Sequence, residues 1–503
     1  ERYGSGNKAR KFYETACDFY ERAHNKDKKD FSCLYNWARV TYILATFTKP
    51  AYSSQKRLNL LQLSIERFKN ALIIDPYALD AMFNLKQALS NFGEICLDEV
   101  SSTTALLLYR EACELGEKLF KLQEEVYIRE KNEENQQNNN ENNDMDIENA
   151  NDDQDNEQEK NPNPTIMEKE EIYGEKGENV TINTLIETLT TNAEDLNNLS
   201  SLTYDPIESQ NLFNQALESL QKAEHLVQEY LKEKIIQKNK DITTNTKSKS
   251  NKNNTKNNEE ENMDVEVDLT IIDSTYATIL SNRGEHLFNS MDIFDAMFFE
   301  KALEHQNKVI QRITPEKSNS LVIYHQKAKE LCNKGDILCS FAEVLINNGE
   351  SIDEHSPSQE MYREALSIYE KALAYEESNN SIICKIGDMN LILASNYLLL
   401  SQNKHDDAYQ SMLKHIRKSL DIYKIALKNN FEQPVKPEIY LRVAKGLSYY
   451  DDLTSHCQRM LQKFIEMEDS LEILENDHQF VNFDFSNDIK NAPWFIKTMK
   501  QLQ

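Results

Sequence analysis

Apolar residues along this chain recur three and four positions apart, the spacing that places side chains on one face of an α-helix. The pattern is sharpest in two segments 54 residues apart, Arg363–Leu373 and Arg417–Leu427, which share Arg, Leu, Ile, Tyr, Ala and Leu at matching offsets. Within them a small residue is followed by an aromatic four positions on and by Ala three further on, as Ala365/Tyr369/Ala372 and Ser419/Tyr423/Ala426. The same spacing recurs at Ala16/Tyr20/Ala23, Ser64/Phe68/Ala71, Ala105/Tyr109/Ala112 and Ser209/Phe213/Ala216, and at Asp295/Phe299/Ala302 with Asp in the small position. A small–aromatic–small face lets a neighbouring helix approach closely while the ring fills the gap. The elements predicted are therefore long helices in pairs. Each pair buries only part of its apolar face, and stacking neighbours completes a continuous core.

Two segments interrupt the pattern. From about Lys131 to Pro164 the chain is rich in Asn, Gln and acids, with 11 acidic residues and no Lys or Arg between Glu133 and Glu159. From about Gln237 to Met263 it is rich in Lys, Asn, Ser and Thr. Neither has apolar surface to offset its ordering entropy, so both are expected to be disordered loops. The expected organisation is helical repeats over 1–130, an acidic insert over 131–180, a helix pair over 181–236, a Lys/Asn-rich linker over 237–267, and repeats with a C-terminal cap over 268–503. Phe480, Phe483, Phe485, Pro493, Trp494 and Phe495 would supply the cap.

In Leu63–Pro76 the residues Ser64, Phe68, Ala71 and Pro76 match the second half of a known 34-residue motif. On these residues the chain resembles the tetratricopeptide repeat (TPR) superfamily. Trp37, with Val40 and Thr41, is a poorer match to the first half, and Met82 with Leu85 and Ala342 with Gly349 are looser still. Trp37 precedes Ser64 by 27 residues, more than the motif has, and loops such as Pro50–Gln55 and Glu350–Ser358 would take up the excess. The resemblance implies an all-α, right-handed superhelical solenoid whose first helices line a groove for a partner. At the positions where chaperone-binding members carry Lys and Asn, the alignment places Ala38 and Tyr42, Phe83 and Gln87, and Cys339 and Glu343. None is the Lys/Asn pair, so binding of a chaperone's acidic tail is not expected. Tyr42, Phe83, Gln87, Asn91, Glu343 and Asn347 become the candidate partner-contacting residues.

Composition narrows the picture further. Glycine (11) and proline (10) are too scarce for a strand-rich fold with many turns. A net charge of −27 repels nucleic acid and anionic membranes and attracts basic proteins. The insert's acids, Glu133, Glu134, Asp144, Asp146, Glu148, Asp152, Asp153, Asp155, Glu157 and Glu159, would suit a basic client. The eight cysteines form no C-x-x-C pair and read as reduced core residues of a cytoplasmic or nuclear protein. No apolar run long enough to span a bilayer is expected, Leu391–Leu400 being the longest candidate.

No phosphate-loop, dinucleotide, zinc-protease or nucleophile-elbow motif is present, and no cofactor or metal is expected. Cys332 and Cys339 share a helical face and are expected to pack; His405 and His415 are placed on a surface, and Asp406-Asp407 and Asp451-Asp452 at turns or caps. The function expected is a non-catalytic scaffold or adaptor that binds a partner protein or peptide in its groove. The alternatives are an escort for a basic client such as a histone or ribosomal protein, and an organelle-import receptor.

Overall fold

In the computed structural model, the described residues are 6–47, 52–99, 101–144, 180–245, 255–314, 321–402, 406–428, 437–449 and 454–466, with Pro493, Ile496 and Lys500. Every regular element among them is an α-helix: α1 (Asn7–His24), α2 (Phe31–Ala45), α3 (Ser54–Ile74), α4 (Leu79–Glu99), α5 (Ser102–Asp144), α6 (Ile182–Leu202), α7 (Pro206–Asn245), α8 (Thr255–Met291), α9 (Ala296–Arg312), α10 (Leu321–Asn347), α11 (Pro357–Tyr375), α12 (Asn380–Leu400), α13 (Asp407–Lys428), α14 (Pro437–Leu447) and α15 (Thr454–Ile465). The starts are specified locally. Asp30, Asn379 and Asp295 each accept a backbone N–H of the first turn, and Thr181 forms a capping box with Thr184. Asp295 therefore stands in the small position of its triplet because α9 begins there. Asp406 likewise accepts from the Tyr409 backbone N–H at the start of α13, as expected of a cap.

The chain divides into two compact units, Glu1–Ile279 and Leu280–Gln503. In the first, α2 packs on α3, α4 on α5 and α6 on α7; in the second, α10 packs on α11, α12 on α13 and α14 on α15. Successive pairs also touch, as α3 with α4, α5 with α6 and α12 with α14 do, so each core is built from stacked pairs.

The small–aromatic–small triplets form the seams of these pairs. Ser64, Phe68 and Ala71, and likewise Ser209, Phe213 and Ala216, are wholly buried, as are Phe299 and Ala302. Tyr109, Tyr369 and Tyr423 are buried with their flanking residues. The exception is the first copy: Ala16 and Tyr20 are half-buried and Ala23 is exposed.

What each ring rests on was not read from the sequence. Gly93 on α4 lies under Tyr109, Gly284 on α8 under Phe299, Gly335 on α10 under Tyr369 and Gly387 on α12 under Tyr423. A methyl group on Gly335 would come within 2.4 Å of the Tyr369 ring, and one on Gly387 within 2.6 Å of Tyr423. Gly349, a loose match to the repeat motif, follows the end of α10 with φ 92°.

Three expectations are corrected. Helical backbone runs on through α5 to Asp144, through α7 to Asn245 and from Thr255 in α8, well inside both segments expected as loops. Glu, Gln and Lys lose little side-chain freedom in a helix, and the packed turns of each long helix supply the nucleus from which it extends. The remainder of both segments, with Asp146, Glu148, Asp152, Asp153, Asp155, Glu157 and Glu159, lies outside the described residues, as do Phe480, Phe483, Phe485, Trp494 and Phe495 of the expected cap. Second, α12 is 21 residues long and apolar enough to cross a membrane, but 61% of its apolar window is buried within the protein, where Ile382, Ile383, Ile386 and Leu393 pack in the core. Third, His415 is not a surface residue. It is half-buried, stacked on Tyr397, with Nδ1 2.9 Å from Asn390 Oδ1.

The ring-on-glycine seam predicts the sign of a substitution. Ala in place of Gly gains about 1 kcal/mol in an open helix. At Gly335 the overpacking cost of about 1–3 kcal/mol opposes that gain. Gly335→Ala should therefore lower the urea midpoint. The same change in a Tyr369→Ala background should raise it, which a double-mutant cycle by chemical denaturation checks.

Candidate protein-binding face

In the four pairs where a ring rests on glycine, the glycine-bearing helix comes first, and the residue after the glycine is acidic: Glu94, Glu285, Asp336 and Asp388. One residue along the helix turns the side chain by about 100°, away from the ring's seat and toward the ring's edge. In two cases this makes a three-membered joint. Tyr369 donates from its hydroxyl to Asp336 Oδ1 at 2.7 Å, and Lys385, from the first helix of the next pair, donates to the same oxygen. Tyr423 donates to Asp388, and Arg442 of α14 donates to Asp388 Oδ2 at 2.6 Å. Burial holds the Asp388 carboxyl above its usual range in spite of Arg442, and pushes both phenols far above theirs.

The third joint of the second unit is built differently. Glu285 follows Gly284 in the same register, but its ring partner is Phe299, which carries no hydroxyl. Its hydrogen bond comes from Ser340 on α10. One turn on from Ser340 stands Glu343, exposed to water. Burial raises both carboxyls above their usual range, and Glu285 raises Glu343 further by repulsion. The phenol of Tyr362 on α11 is raised by burial and then by the Glu343 carboxylate.

In the first unit the candidate residues meet in part. Asn91 donates from Nδ2 to the Tyr42 hydroxyl at 2.7 Å, which bridges α2 and α4, and to the Gln87 backbone oxygen of its own helix at 3.0 Å. Burial raises the Tyr42 phenol, with the Asn91 bond pulling the other way. Phe83 is half-buried against Leu79, Met82 and Leu185, which makes it largely a packing residue. In the second unit Glu343 and Asn347, one turn apart on α10, are both exposed.

A buried ion pair joins two pairs of the first unit. Lys86 of α4 and Asp195 of α6 are 2.6 Å apart with side chains 1% and 5% exposed. Thr188 and Asn192, at helical spacing before Asp195, are buried as well. Sequence reasoning missed this pair because Lys86 sits among apolar neighbours in Met82–Leu89 and its partner is more than a hundred residues away. It also missed the acids after the glycines, although Asn-x-Gly-acid recurs at Asn91, Asn282 and Asn333 and could have drawn attention to them.

All eight cysteines are free thiols, and burial raises Cys339 to about 12 and Cys332 to about 11. Both pack, Cys332 in the core and Cys339 3.5 Å from the Tyr369 hydroxyl. Burial, then Lys418, Lys414 and Arg363, pushes His415 down to about 4, so its imidazole is neutral. His405, Asp451 and Asp452 lie outside the described residues. Among the described residues no group of three or more His, Cys, Asp or Glu is placed to hold a metal ion.

These features define an all-α helical-repeat protein built from paired helices. No protein-family model matches the chain, and no curated protein matches it by sequence. Among solved structures it is similar to a circular tandem repeat protein with novel repeat topology (11% identity, TM-score 0.29, 98% of this chain and 89% of that one). It is also similar to Nro1, a hypoxic regulator of sterol synthesis that is a nuclear import adaptor (11%, 0.27, 78% and 99%), and to the TPR domain of P58(IPK) (13%, 0.18, 90% and 95%). None superposes above 0.29, so the fold assignment rests on the chain's own helix pairs.

Two outcomes follow. Lys86→Met leaves Asp195 buried without its cation and should cost about 3–5 kcal/mol, whereas Lys86→Met with Asp195→Leu should recover most of it, as read from urea unfolding. Glu343→Gln concerns the opposite sign. A carboxyl whose folded pKa is raised contributes stability below its ordinary value of 4.5 and loses it as pH rises through the folded value. The variant should therefore be more stable than the native chain at pH 7, and the two should converge below about pH 4, which thermal melts across that range check.

Proposed function

We propose that the chain is a non-catalytic scaffold that binds a partner protein or peptide along the faces of its glycine-bearing first helices, in the cytoplasm or nucleus. The observation that carries this reading is the pair Glu343 and Asn347, one turn apart on α10 and both open to water. Buried seams explain every small–aromatic–small triplet after the first. The open polar side chains that remain on first helices, Glu343 and Asn347 among them, have no comparable packing role. Recognition of an extended or helical segment by such a face needs no moving parts and no cofactor.

A second reading has its own support. The net charge of −27, and the stretch between Glu133 and Glu159 with 11 acids and no cation, would attract a histone-like or ribosomal client. Glu133 is exposed on the described part of α5.

Affinity capture from native lysate separates the two. The baits are the full chain, the chain lacking 145–165, and Glu343→Arg with Asn347→Arg, each washed at low and high salt. The scaffold reading expects a defined set of proteins that survives the deletion and the salt but is lost with the double substitution. Basic proteins lost with the deletion and with salt would replace it by the escort reading. Partners lost with neither change would overturn both.

A further inference from the structure

Arg363 of α11 differs from Lys334, Lys385 and Arg442 in what it meets. Those three each reach a carboxylate, of Glu364, Asp336 and Asp388 in turn. Arg363 is half-buried and donates at 3.1 Å to a neutral group, the Tyr397 hydroxyl of α12. That bond engages one edge of the guanidinium, and Arg363 makes no ion pair among the described residues. In a chain of net charge −27, a cation set into the protein without an acid beside it is out of keeping with its surroundings.

The phenol that Arg363 meets is held in place from the other side. The Tyr397 ring stacks on His415 of α13, with centroids 5.6 Å apart and planes at 17°. His415 Nδ1 lies 2.9 Å from Asn390 Oδ1, and the Asn390 amide nitrogen donates to the Ile386 backbone oxygen at 2.9 Å. Asn390 therefore offers an acceptor, and Nδ1 of His415 carries the proton. Amide, imidazole and ring together fix the Tyr397 hydroxyl beside Arg363. Having accepted from the guanidinium, that hydroxyl keeps its own proton for a further acceptor, and no described residue takes it.

Two more cations stand around His415. Lys418 lies one turn on from it along α13, and Lys414 one turn before Lys418. Both are exposed, and neither forms an ion pair among the described residues. The charges that act on His415 agree with this placement: they are Lys418, Lys414 and Arg363, with no carboxylate. The cluster thus offers three cations and an idle phenol proton, all donors. A broadly acidic segment would be repelled by the rest of the chain. A phosphoryl group instead concentrates a charge of about −1.5 to −2 and several acceptor oxygens at one point, where the nearby cations outweigh distant, screened acids.

From these observations we infer that Arg363, Tyr397, Lys414 and Lys418 bind the phosphoryl group of a phosphorylated serine or threonine in a protein partner. The inference rests on the scaffold reading and names the chemistry of its partner. The free edge of the Arg363 guanidinium matches two phosphoryl oxygens at once. The Tyr397 O–H donates to one of them, and the ammonium groups of Lys414 and Lys418 balance the remaining charge.

The test uses the full chain and fluorescein-labelled Gly/Ser peptides bearing one phosphoserine, with serine and glutamate counterparts, read by fluorescence anisotropy at about 0.15 M salt. The phosphoserine peptide should bind at least about tenfold more tightly than either counterpart. Arg363→Gln with Lys418→Gln should weaken it by about tenfold or more. Tyr397→Phe keeps the ring and its stack but removes the hydroxyl, and should weaken it about threefold or more. The charge-matched Lys118→Gln with Lys121→Gln on α5 should change affinity less than about twofold. Equal losses in both charge-removing pairs would show general attraction to cations and overturn the inference, as would a glutamate peptide that binds as tightly as the phosphoserine one. If no phosphoserine peptide binds while lysate partners are still lost with Glu343→Arg and Asn347→Arg, the scaffold reading stands and the phosphoryl site does not.

Discussion

Close approach of two helices around one aromatic ring is the constraint on which this protein depends. A ring filling the seam brings the paired backbones so near that the residue beneath it can carry no side chain, as the clash distances at Gly335 and Gly387 show. Glycine in a helix interior costs about 1 kcal/mol relative to alanine. The chain accepts that cost at four seams because the ring's burial, worth about 2 kcal/mol for a fully buried large side chain, outweighs it. Once glycine is fixed, its successor is carried to the ring's edge, where a tyrosine hydroxyl emerges. An acid there satisfies the hydroxyl, and the acid in turn calls for a cation from the next pair. Packing within one pair thus sets the electrostatics between pairs.

The joints differ in how far that sequence of consequences is completed. Asp336 and Asp388 end in ion pairs that tie successive first helices together, the Asp388–Arg442 pair less exposed and so less screened by solvent than Asp336–Lys385. Lys86 and Asp195 do the same across α4 and α6 of the first unit, but deep in the interior. A buried pair of that kind adds little net stability over an apolar contact, yet it penalises any register that separates its members. In a molecule whose pairs resemble one another, a penalty on mispairing is valuable, since similar seams offer many wrong partners.

Much of the fold was legible. The triplets located six of the seams and the long helices that bear them, because ring and small residues belong to one helix and their spacing is local. The glycines were not, because each pairs with a ring on another helix, at separations that vary from 15 residues for Gly284 and Phe299 to 36 for Gly387 and Tyr423. That variation defeated alignment to a 34-residue motif. Helix ends in the low-complexity stretches were misjudged for a different reason: composition reports what a segment can bury, whereas a helix already nucleated by packing propagates into residues that bury nothing. Of the proposed face, Tyr42, Gln87 and Asn91 do meet, and Glu343 with Asn347 share an exposed turn of α10. Glu285 stayed invisible because an isolated glutamate carries no signal until its register with Asp336 and Asp388 is known.

That register also bears on how a joint can change its polar partners at small structural cost. A joint completed by the chain's own tyrosine and cation is closed chemistry, with every donor and acceptor spoken for. Replacing the tyrosine by Phe299 keeps the packing, since the ring still fills the seam and stacks on Phe341 at 4.8 Å. Replacing the cation by Asn333 keeps the helix, since the amide bonds within it. Neither change disturbs the apolar core, and Glu285 takes a hydrogen bond from Ser340 of α10 where its sister acids take one from a tyrosine.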